Sequence, residues 1–454
     1  MSTIVVTNEN VAINLTGYTV ISKDPPNSSA LETFLAILPS FFYMFFTVTA
    51  LSLLSTKQKV VSFLIEFSFI VIPVILNVTI LTEYLKDIVY ALSLVIGFML
   101  FLVLNKPLVK NKAQVRSSHT RNYITNARST INLISVIAIL AVDFQTFPSR
   151  FSKTQTTGFS LMDVGVGLFI YSNGIVAPEA KERPDSIKKS LKSCITLTTL
   201  GIIRLILTRI TAYHVSEVEY GLHWNFFITL AVTKLFTSII LNVVSIKYIY
   251  ASAIFLTFTH EVFLETIFKK FVFGDIVRDN FISANREGLV SSIGYITLYL
   301  YSVYFGYFIY HKERSKFNTH LKLFVCSAAC LSLTLIFDYL FGVSRRVASS
   351  GYIFWVLFIG VFMTWLFYLA ENLQTFFFTR RLTFYLCSPI IFEAINYNGL
   401  IFFLLANILT GLINKLLNTK SYGPISSLLI ISFYMLLNCM VVFILYTKQI
   451  KIKF

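Results

Sequence analysis

Asp143 and Lys153 are the side chains whose types and spacing best suit chemistry. They lie in the stretch 139–167, which leaves a long apolar run, breaks at Pro148 and re-enters apolar sequence at Asp163. An ionisable side chain at the edge of hydrocarbon is unfavourable when it has no partner, so by default it marks a working site. The stretch therefore predicts a functional site at one surface of a membrane.

A general base and an anion-stabilising cation are the roles that this pair suits. Burial at the mouth of an apolar cavity would raise the pKa of Asp143 towards the range useful for a base, while a nearby lysine would lower it. Lys153 can reach Asp143 only if the loop turns back, which Pro148 favours because it ends the helix. The alternative is an ion pair between the two residues that holds the fourth and fifth apolar spans together.

Three neighbouring side chains are candidates for substrate binding. The guanidinium of Arg150 suits a planar contact to phosphate, or it extends to lipid headgroups. Thr154 follows the candidate lysine directly. Asp163 opens the next span, where the alternative role is an N-terminal helix cap.

The polar gap 214–225 supplies a competing base. His223 titrates near neutrality without any perturbation, so residue types alone leave open whether Asp143 or His223 accepts the proton. Trp224 and Asn225 follow it and enter as candidate binding residues. For Trp224 the alternative is a place in the aromatic belt at the membrane surface.

These residues must be positioned by membrane helices. The chain has 454 residues, of which 56% are hydrophobic and 13% charged, with a mean hydropathy of +0.73. Such a composition excludes an ordinary soluble domain. Apolar windows of about twenty residues recur along the chain, each long enough to cross a bilayer as a helix. The expected fold is all-α, a polytopic helical bundle.

About thirteen spans are expected, within one multi-pass domain over residues 31–454. Each window is apolar and is bounded by polar or charged residues. The predicted spans are 33–54, 60–80, 88–105, 130–147, 161–178, 193–212, 225–246, 249–267, 288–310, 319–341, 352–370, 396–416 and 425–446. The half-apolar segment 370–395 is the least certain connection, because it could lie in the interface or re-enter the bundle.

The basic residues indicate the orientation of the bundle. The net charge is +16, but lysine and arginine lie in short gaps between spans, which is a topology signal and not a nucleic-acid surface. Their excess on one side places the amino terminus in the lumen and the carboxyl terminus in the cytosol. Residues 1–30 are then a lumenal tail with two glycosylation sequons, at Asn14 and Asn27.

Neither a metal site nor a permanent cofactor is expected. His119, His311 and His320 are scattered through polar gaps, and no two histidines share a helix face with a carboxylate at ligand spacing. The five cysteines lie in or beside apolar runs, with no spacing typical of a zinc or disulfide framework. No glycine-rich loop that would hold phosphates is present.

Three stretches carry a specific resemblance to a known family. They are ILAVDFQTFPSRFSKTQTTGFSLMDVGVG at 139–167, YGLHWNFF at 220–227 and ANILTGLIN at 406–414. Together they resemble the inositol acyltransferases of glycosylphosphatidylinositol (GPI) anchor synthesis, known in fungi as GPI-anchored wall transfer proteins. In that family the aspartate and lysine of the first stretch are taken as catalytic, and both match here at Asp143 and Lys153.

The resemblance implies a substrate pair and a location. It implies transfer of a fatty acyl chain, palmitoyl by analogy, from acyl-CoA to the inositol ring of glucosaminyl-phosphatidylinositol. Acyl-CoA would be a co-substrate, and the location would be the endoplasmic reticulum membrane. The competing interpretation is a lipid or solute transporter or flippase that uses the same intramembrane charges, although no internal repeat is visible.

Overall fold

The computed structural model describes most of the chain. It covers residues 11–13, 20–22, 27–109, 114–116, 121–183, 186–210, 217–274, 276–311 and 316–452. The sequon at Asn14 lies outside these residues. Asn27 lies within them, at the start of the chain segment that leads into the first span.

The predicted helical architecture is confirmed. Within the described residues, thirteen helices are long and apolar enough to cross a membrane. They are Ala30–Leu53, Lys59–Val78, Thr82–Leu104, Asn122–Ala141, Leu161–Lys181, Ile187–Ile210, Phe226–Val243, Ile246–Phe273, Arg286–Tyr310, Lys316–Phe341, Ser350–Phe378, Gly399–Leu416 and Pro424–Thr447, numbered spans 1 to 13 in this order.

Several of these spans are interrupted. Span 1 consists of Ala30–Ile37 and Pro39–Leu53, because proline starts a second helix. Spans 2 and 8 contain wider π-helical turns at Phe67–Val71 and Leu264–Phe268. Among the described residues, the shorter α-helices outside the spans are Glu217–Tyr220, Phe281–Ala284 and Ile390–Tyr397.

Span 4 is a central helix of the bundle and begins eight residues earlier than predicted. Its first two turns are polar, which suggested a loop, but they are buried and bonded to the segment before span 12. The Asn126 amide donates to the carbonyl of Cys387 at 3.1 Å, and Arg128 Nη1 donates to Asn396 Oδ1 at 2.6 Å. Polar side chains are thus compatible with a spanning helix here because neighbouring protein supplies their partners.

The uncertain segment 370–395 divides into the end of a span and a buried part, residues 384–395, that packs inside the protein. Span 11 continues to Phe378, after which strand Phe384–Leu386 pairs in parallel with strand Gln114–Arg116. The helix Ile390–Tyr397 follows and is buried over most of its length. Its first two amide groups donate to the fully buried carboxylate of Glu66, at 2.9 and 2.8 Å, so a membrane helix caps it. A second strand pair, Val11–Ile13 with Val20–Ser22, is antiparallel.

The stretch 142–160 connects spans 4 and 5 at one end of the bundle. It is held against the start of span 1, where the Ser28 amide donates to the Arg150 carbonyl at 3.2 Å and the Ser28 hydroxyl donates to the Phe159 carbonyl at 2.9 Å. Phe147 and Phe151 anchor the stretch in the core. The connection is therefore a fixed structural element that can hold polar side chains in place.

Candidate active site

Asp143 lies just beyond the end of span 4. It is half-buried, and its Oδ2 accepts a hydrogen bond of 2.7 Å from Asn414 Nδ2, which lies in the last turn of span 12. Burial raises the pKa of Asp143, while the hydrogen bond from Asn414 and the charges of Lys153 and Lys420 oppose this rise. A carboxylate in this setting is a stronger base than an exposed one.

An open pocket of about 530 Å³ adjoins the Asp143 carboxylate. Its wall is formed by one side chain after span 4 and by the end of span 12 with the loop that follows. The lining residues are Asp143, Asn414, Lys415, Leu416, Leu417, Asn418, Thr419 and Lys420. Two of the three stretches that carry the family resemblance, 139–167 and 406–414, thus meet at this pocket.

Lys153 has a different partner from the one that its spacing suggested. Its ammonium lies 2.6 Å from Glu219 Oε2, in the short helix Glu217–Tyr220. Among the described residues, no ion pair joins Lys153 to Asp143, so the expected alternative of a clamp between these two residues is not formed. The lysine charge nevertheless acts on the Asp143 carboxylate and lowers its pKa. The two groups therefore belong to the same end of the bundle.

A chain of charges continues from Lys153 into the protein. Arg345 Nη1 lies 3.7 Å from Glu219 Oε1, and Arg345 Nε lies 2.7 Å from Asp163 Oδ1. Burial alone would raise the pKa of Glu219, but the charges of Lys153 and Arg345 lower it to about 2. Glu219 is therefore ionised at any physiological pH and holds both cations.

Asp163 closes this network onto the candidate lysine. Its Oδ2 accepts hydrogen bonds from the Thr154 amide at 3.1 Å and the Thr154 hydroxyl at 2.7 Å. The N-terminal cap of span 5 is Ser160, whose hydroxyl accepts from the Asp163 amide, so Asp163 is not the cap. Thr154 is adjacent to Lys153 in sequence. The network Lys153–Glu219–Arg345–Asp163–Thr154 consequently fixes the backbone that carries the ammonium group.

A tyrosine of span 11 contacts the backbone of span 5. The Tyr352 hydroxyl donates to the Asp163 carbonyl at 2.8 Å and accepts from the Gly167 amide at 3.2 Å. The tyrosine thus bridges the position of a normal i to i+4 helix bond. A Cβ atom at residue 167 would lie 2.5 Å from a methyl carbon of Val356, so glycine is required for this close approach.

Arg150 is engaged by carboxylates. It forms an ion pair with Glu83, and its Nε lies 3.9 Å from Glu32 Oε1. These contacts tie the connection between spans 4 and 5 to the starts of spans 1 and 3. Asn27 also contacts this connection. Its Nδ2, the atom to which a glycan would be attached, donates to the Thr157 carbonyl at 2.9 Å.

The HWN stretch is held by hydrogen bonds to several neighbouring elements. The backbone amide of His223 donates to Asn285 Oδ1 at 2.8 Å, and its Nδ1 accepts from Arg209 Nη2 at 3.2 Å. Trp224 is buried and donates from Nε1 to the Thr229 hydroxyl at 2.9 Å. Asn225 caps span 7 by accepting from two backbone amides. None of these three residues lines the Asp143 pocket.

Four site residues were not singled out by sequence reasoning. They are Asn414, Lys420, Glu219 and Arg345, which act on Asp143 or Lys153 through the contacts above. Asn414 is the last residue of the stretch 406–414, which was a usable signal. Within the described residues, no cluster of three or more His, Cys, Asp and Glu side chains is arranged to hold a metal ion.

Comparison with known proteins gives a consistent set of relatives. The family model GWT1 matches residues 10–445. The chain is 30% identical to GPI-anchored wall transfer protein 1 of Saccharomyces cerevisiae, over the full length of both chains. It is 29% identical to glucosaminyl-phosphatidylinositol-acyltransferase PIGW of Mus musculus, covering 86% of this chain and 89% of that one. It is also 33% identical to GPI-anchored wall transfer protein 1 of Schizosaccharomyces pombe, covering 70% of each chain.

Proposed function

Because the chain belongs to the GWT1 family, we propose that it is a membrane acyltransferase of GPI-anchor biosynthesis that transfers a fatty acyl chain to the inositol ring of glucosaminyl-phosphatidylinositol. The support is the match over almost the whole chain and the acyltransferase activity for which the mouse relative is named. The helical bundle suits the reaction, because both the acyl chain and the lipid acceptor are apolar over most of their length.

The finer features of the reaction are part of the same proposal. The acyl donor is acyl-CoA, with palmitoyl-CoA as the expected form, and the membrane is that of the endoplasmic reticulum. The distribution of basic residues supports a lumenal amino terminus and a cytosolic carboxyl terminus. The end of the bundle that carries Asp143 then faces the lumen.

Asp143 is the proposed general base. As the acceptor hydroxyl attacks the thioester carbonyl carbon, Asp143 takes the hydroxyl proton, and the new C–O bond forms. Collapse of the tetrahedral intermediate breaks the C–S bond, and the thiolate leaves with a proton returned by the protonated aspartate. The observation that carries this assignment is the half-buried carboxylate, oriented by Asn414 and facing a pocket. A positioned base typically increases the rate of such a step by about 10³-fold.

Lys153 is the proposed oxyanion-stabilising group. An ammonium carries three N–H donors, and Glu219 occupies one of them at 2.6 Å. The others are available for the negative charge that develops on the carbonyl oxygen. Thr154 and Asp163 are assigned to positioning this lysine, because their mutual hydrogen bonds fix the loop beside it.

The remaining candidate residues are proposed to take part in binding the acceptor lipid. Arg150 borders the same connection and is proposed to contact the acceptor headgroup when a lipid displaces Glu32 or Glu83. His223, Trp224 and Asn225 are proposed to shape the binding region around Glu219, since they begin four residues after it in the chain. His223 also remains the alternative base if Asp143 is dispensable.

A reconstituted assay tests the proposal. Purified protein in mixed micelles receives labelled palmitoyl-CoA and glucosaminyl-phosphatidylinositol, and acylated lipid is measured. We expect transfer by the wild type and a loss of at least roughly 100-fold in kcat for Asp143→Asn. Asp87→Asn, the same change at an exposed residue at the start of span 3, is the matched control and keeps full activity.

Two results would count against these assignments. Full turnover by Asp143→Asn would remove the base assignment and make His223→Ala the next variant to measure. Uptake of the labelled lipid into sealed vesicles without any acylated product would instead indicate a transporter.

A further inference from the structure

Two lysines, Lys415 and Lys420, line the pocket beside Asp143. Lys415 lies in the last turn of span 12, and Lys420 lies in the single 3₁₀ turn Thr419–Ser421 that follows it. Both are exposed and both line the pocket. Among the described residues, no carboxylate lies within ion-pair distance of either ammonium. Their charges are therefore available to an anion that enters the pocket.

Lys153 and Arg150, the cations of the neighbouring connection, each have a carboxylate partner. Lys153 is bound to Glu219, and Arg150 is bound to Glu83, each through a direct ion pair. The pocket wall itself carries a single carboxylate, Asp143, and two ammonium groups. The pocket is thus positively charged in total, although a proton-accepting carboxylate lies at its edge.

Lys420 is close enough to act on the proposed base. Its charge is among those that oppose the rise in the pKa of Asp143. The two groups belong to different elements of the same pocket lining, since Asp143 follows span 4 and Lys420 follows span 12. A ligand in this pocket would meet both a proton-accepting carboxylate and an ammonium that can bind an anion.

We propose that Lys420, assisted by Lys415, binds the phosphodiester of the lipid acceptor and thereby presents the acceptor ring to Asp143. This inference rests on the proposed function. In a phosphatidylinositol the phosphodiester is attached to the same ring that carries the acceptor hydroxyl. When that hydroxyl contacts Asp143, the phosphate must lie within about one ring width of the Asp143 carboxylate. A compact ammonium that is not paired with a carboxylate suits a phosphate at that position.

Separate kinetics for the two substrates test the inference. Lys420→Ala is measured with glucosaminyl-phosphatidylinositol varied at saturating palmitoyl-CoA, and then with palmitoyl-CoA varied at saturating acceptor. We expect KM for the acceptor to rise roughly tenfold, as for loss of one charge-assisted phosphate contact, with KM for the donor unchanged. Lys420→Arg should retain most of the acceptor affinity because it keeps the charge.

Lys270→Ala is the matched control. Lys270 is an exposed lysine in the last helix of span 8 that does not line the pocket, so its removal makes the same change in net charge elsewhere. We expect wild-type KM values for both substrates. A general loss of surface charge would affect both alanine variants alike, whereas a phosphate site affects only Lys420→Ala.

A binding measurement separates this inference from the proposed function. Glycerophosphoinositol, a soluble headgroup with the same phosphodiester, is titrated against the purified wild type and Lys420→Ala. Weaker binding to the variant by the same roughly tenfold factor supports the phosphate site whether or not the protein turns over. Equal binding and an unchanged acceptor KM would overturn the inference while leaving acyl transfer intact. A rise confined to KM for palmitoyl-CoA would also overturn the inference, since Lys420 would then bind the phosphates of the acyl donor.

Discussion

The ion pair between Lys153 and Glu219 offers a direct test of the charge network. Removing the carboxylate with Glu219→Gln keeps the size of the side chain but leaves both Lys153 and the buried Arg345 without their shared partner. We expect the variant to be less stable and to transfer acyl chains more slowly, because the lysine loses its fixed position.

The structure sets the size of the effect. The pKa of Glu219 falls from 4.5 to about 2, and one pKa unit corresponds to about 1.4 kcal/mol, so ionised Glu219 stabilises the fold by roughly 3 kcal/mol. Because the folded pKa is lowered, this contribution is fully present above the unfolded pKa and is lost as pH falls towards 2. The Lys153 side chain is 40% exposed and that of Arg345 only 3%. Because solvent screens the more exposed Lys153, its pairing with Glu219 contributes about 1 kcal/mol of this stabilisation. The pairing of Glu219 with the buried Arg345 contributes most of the remainder.

A double-mutant cycle measures the Lys153 share. The free energy of unfolding is obtained by SDS titration in mixed micelles for wild type, Lys153→Met, Glu219→Gln and the double variant. We expect a coupling energy of about 1 kcal/mol at pH 7 that persists at pH 5, because Glu219 stays ionised at both. The pair Glu265 and Lys269, four residues apart on one helix and with a more exposed carboxylate than Glu219, is the control, with an expected coupling of about 0.3–0.5 kcal/mol.

One result would refute the reasoning. A coupling energy no larger than that of the control pair would mean that Lys153 and Glu219 do not form a specific contact. The network would then not position the lysine, and the loss of activity in Glu219→Gln would need another cause.

Three further predictions follow from individual contacts. Asn414→Leu removes the hydrogen bond that orients Asp143, so kcat should fall about tenfold in the transfer assay, whereas Asn407→Leu, whose amide donates to the Phe403 carbonyl of its own helix, should leave it unchanged. Burial raises the pKa of Asp143, so the acid limb of kcat/KM should lie above the usual carboxylate range, with activity lost as pH falls through that raised pKa; a limb at the ordinary aspartate value would contradict the base assignment. Gly167→Ala should lower the free energy of unfolding by about 1–3 kcal/mol because its Cβ would clash with span 11, while Gly97→Ala, which meets nothing within 4 Å, should be neutral or slightly stabilising.

The helical architecture could be predicted because it depends on local properties. Each span must satisfy its own backbone hydrogen bonds in lipid, so a window of suitable length and hydropathy is enough to identify it. The start of span 4 was placed too late for the same reason. Asn126 and Arg128 are polar, and a local criterion has no access to the neighbouring segment that supplies their partners.

The candidate site could be located but not assembled from the sequence. Its position followed from Asp143 and Lys153, because ionisable residues at a membrane surface are conspicuous in an apolar sequence. Their spacing of ten residues suggested a direct pair, yet Lys153 is bound to Glu219, 66 residues away. Asp143 is bound to Asn414, 271 residues away. The catalytic roles of both residues stay predictions that the assays above test.

The sequence by itself determined the number of spans, the class of fold and the family, since hydropathy and short motifs can be read residue by residue. Only the tertiary structure decided which charge meets which partner. Lipid tails are as apolar as the surfaces of neighbouring helices, so hydropathy does not specify which spans lie side by side. Spans that are distant in sequence end at the same surface. Lys153 therefore pairs with Glu219, and Asp143 and Lys420 line one pocket.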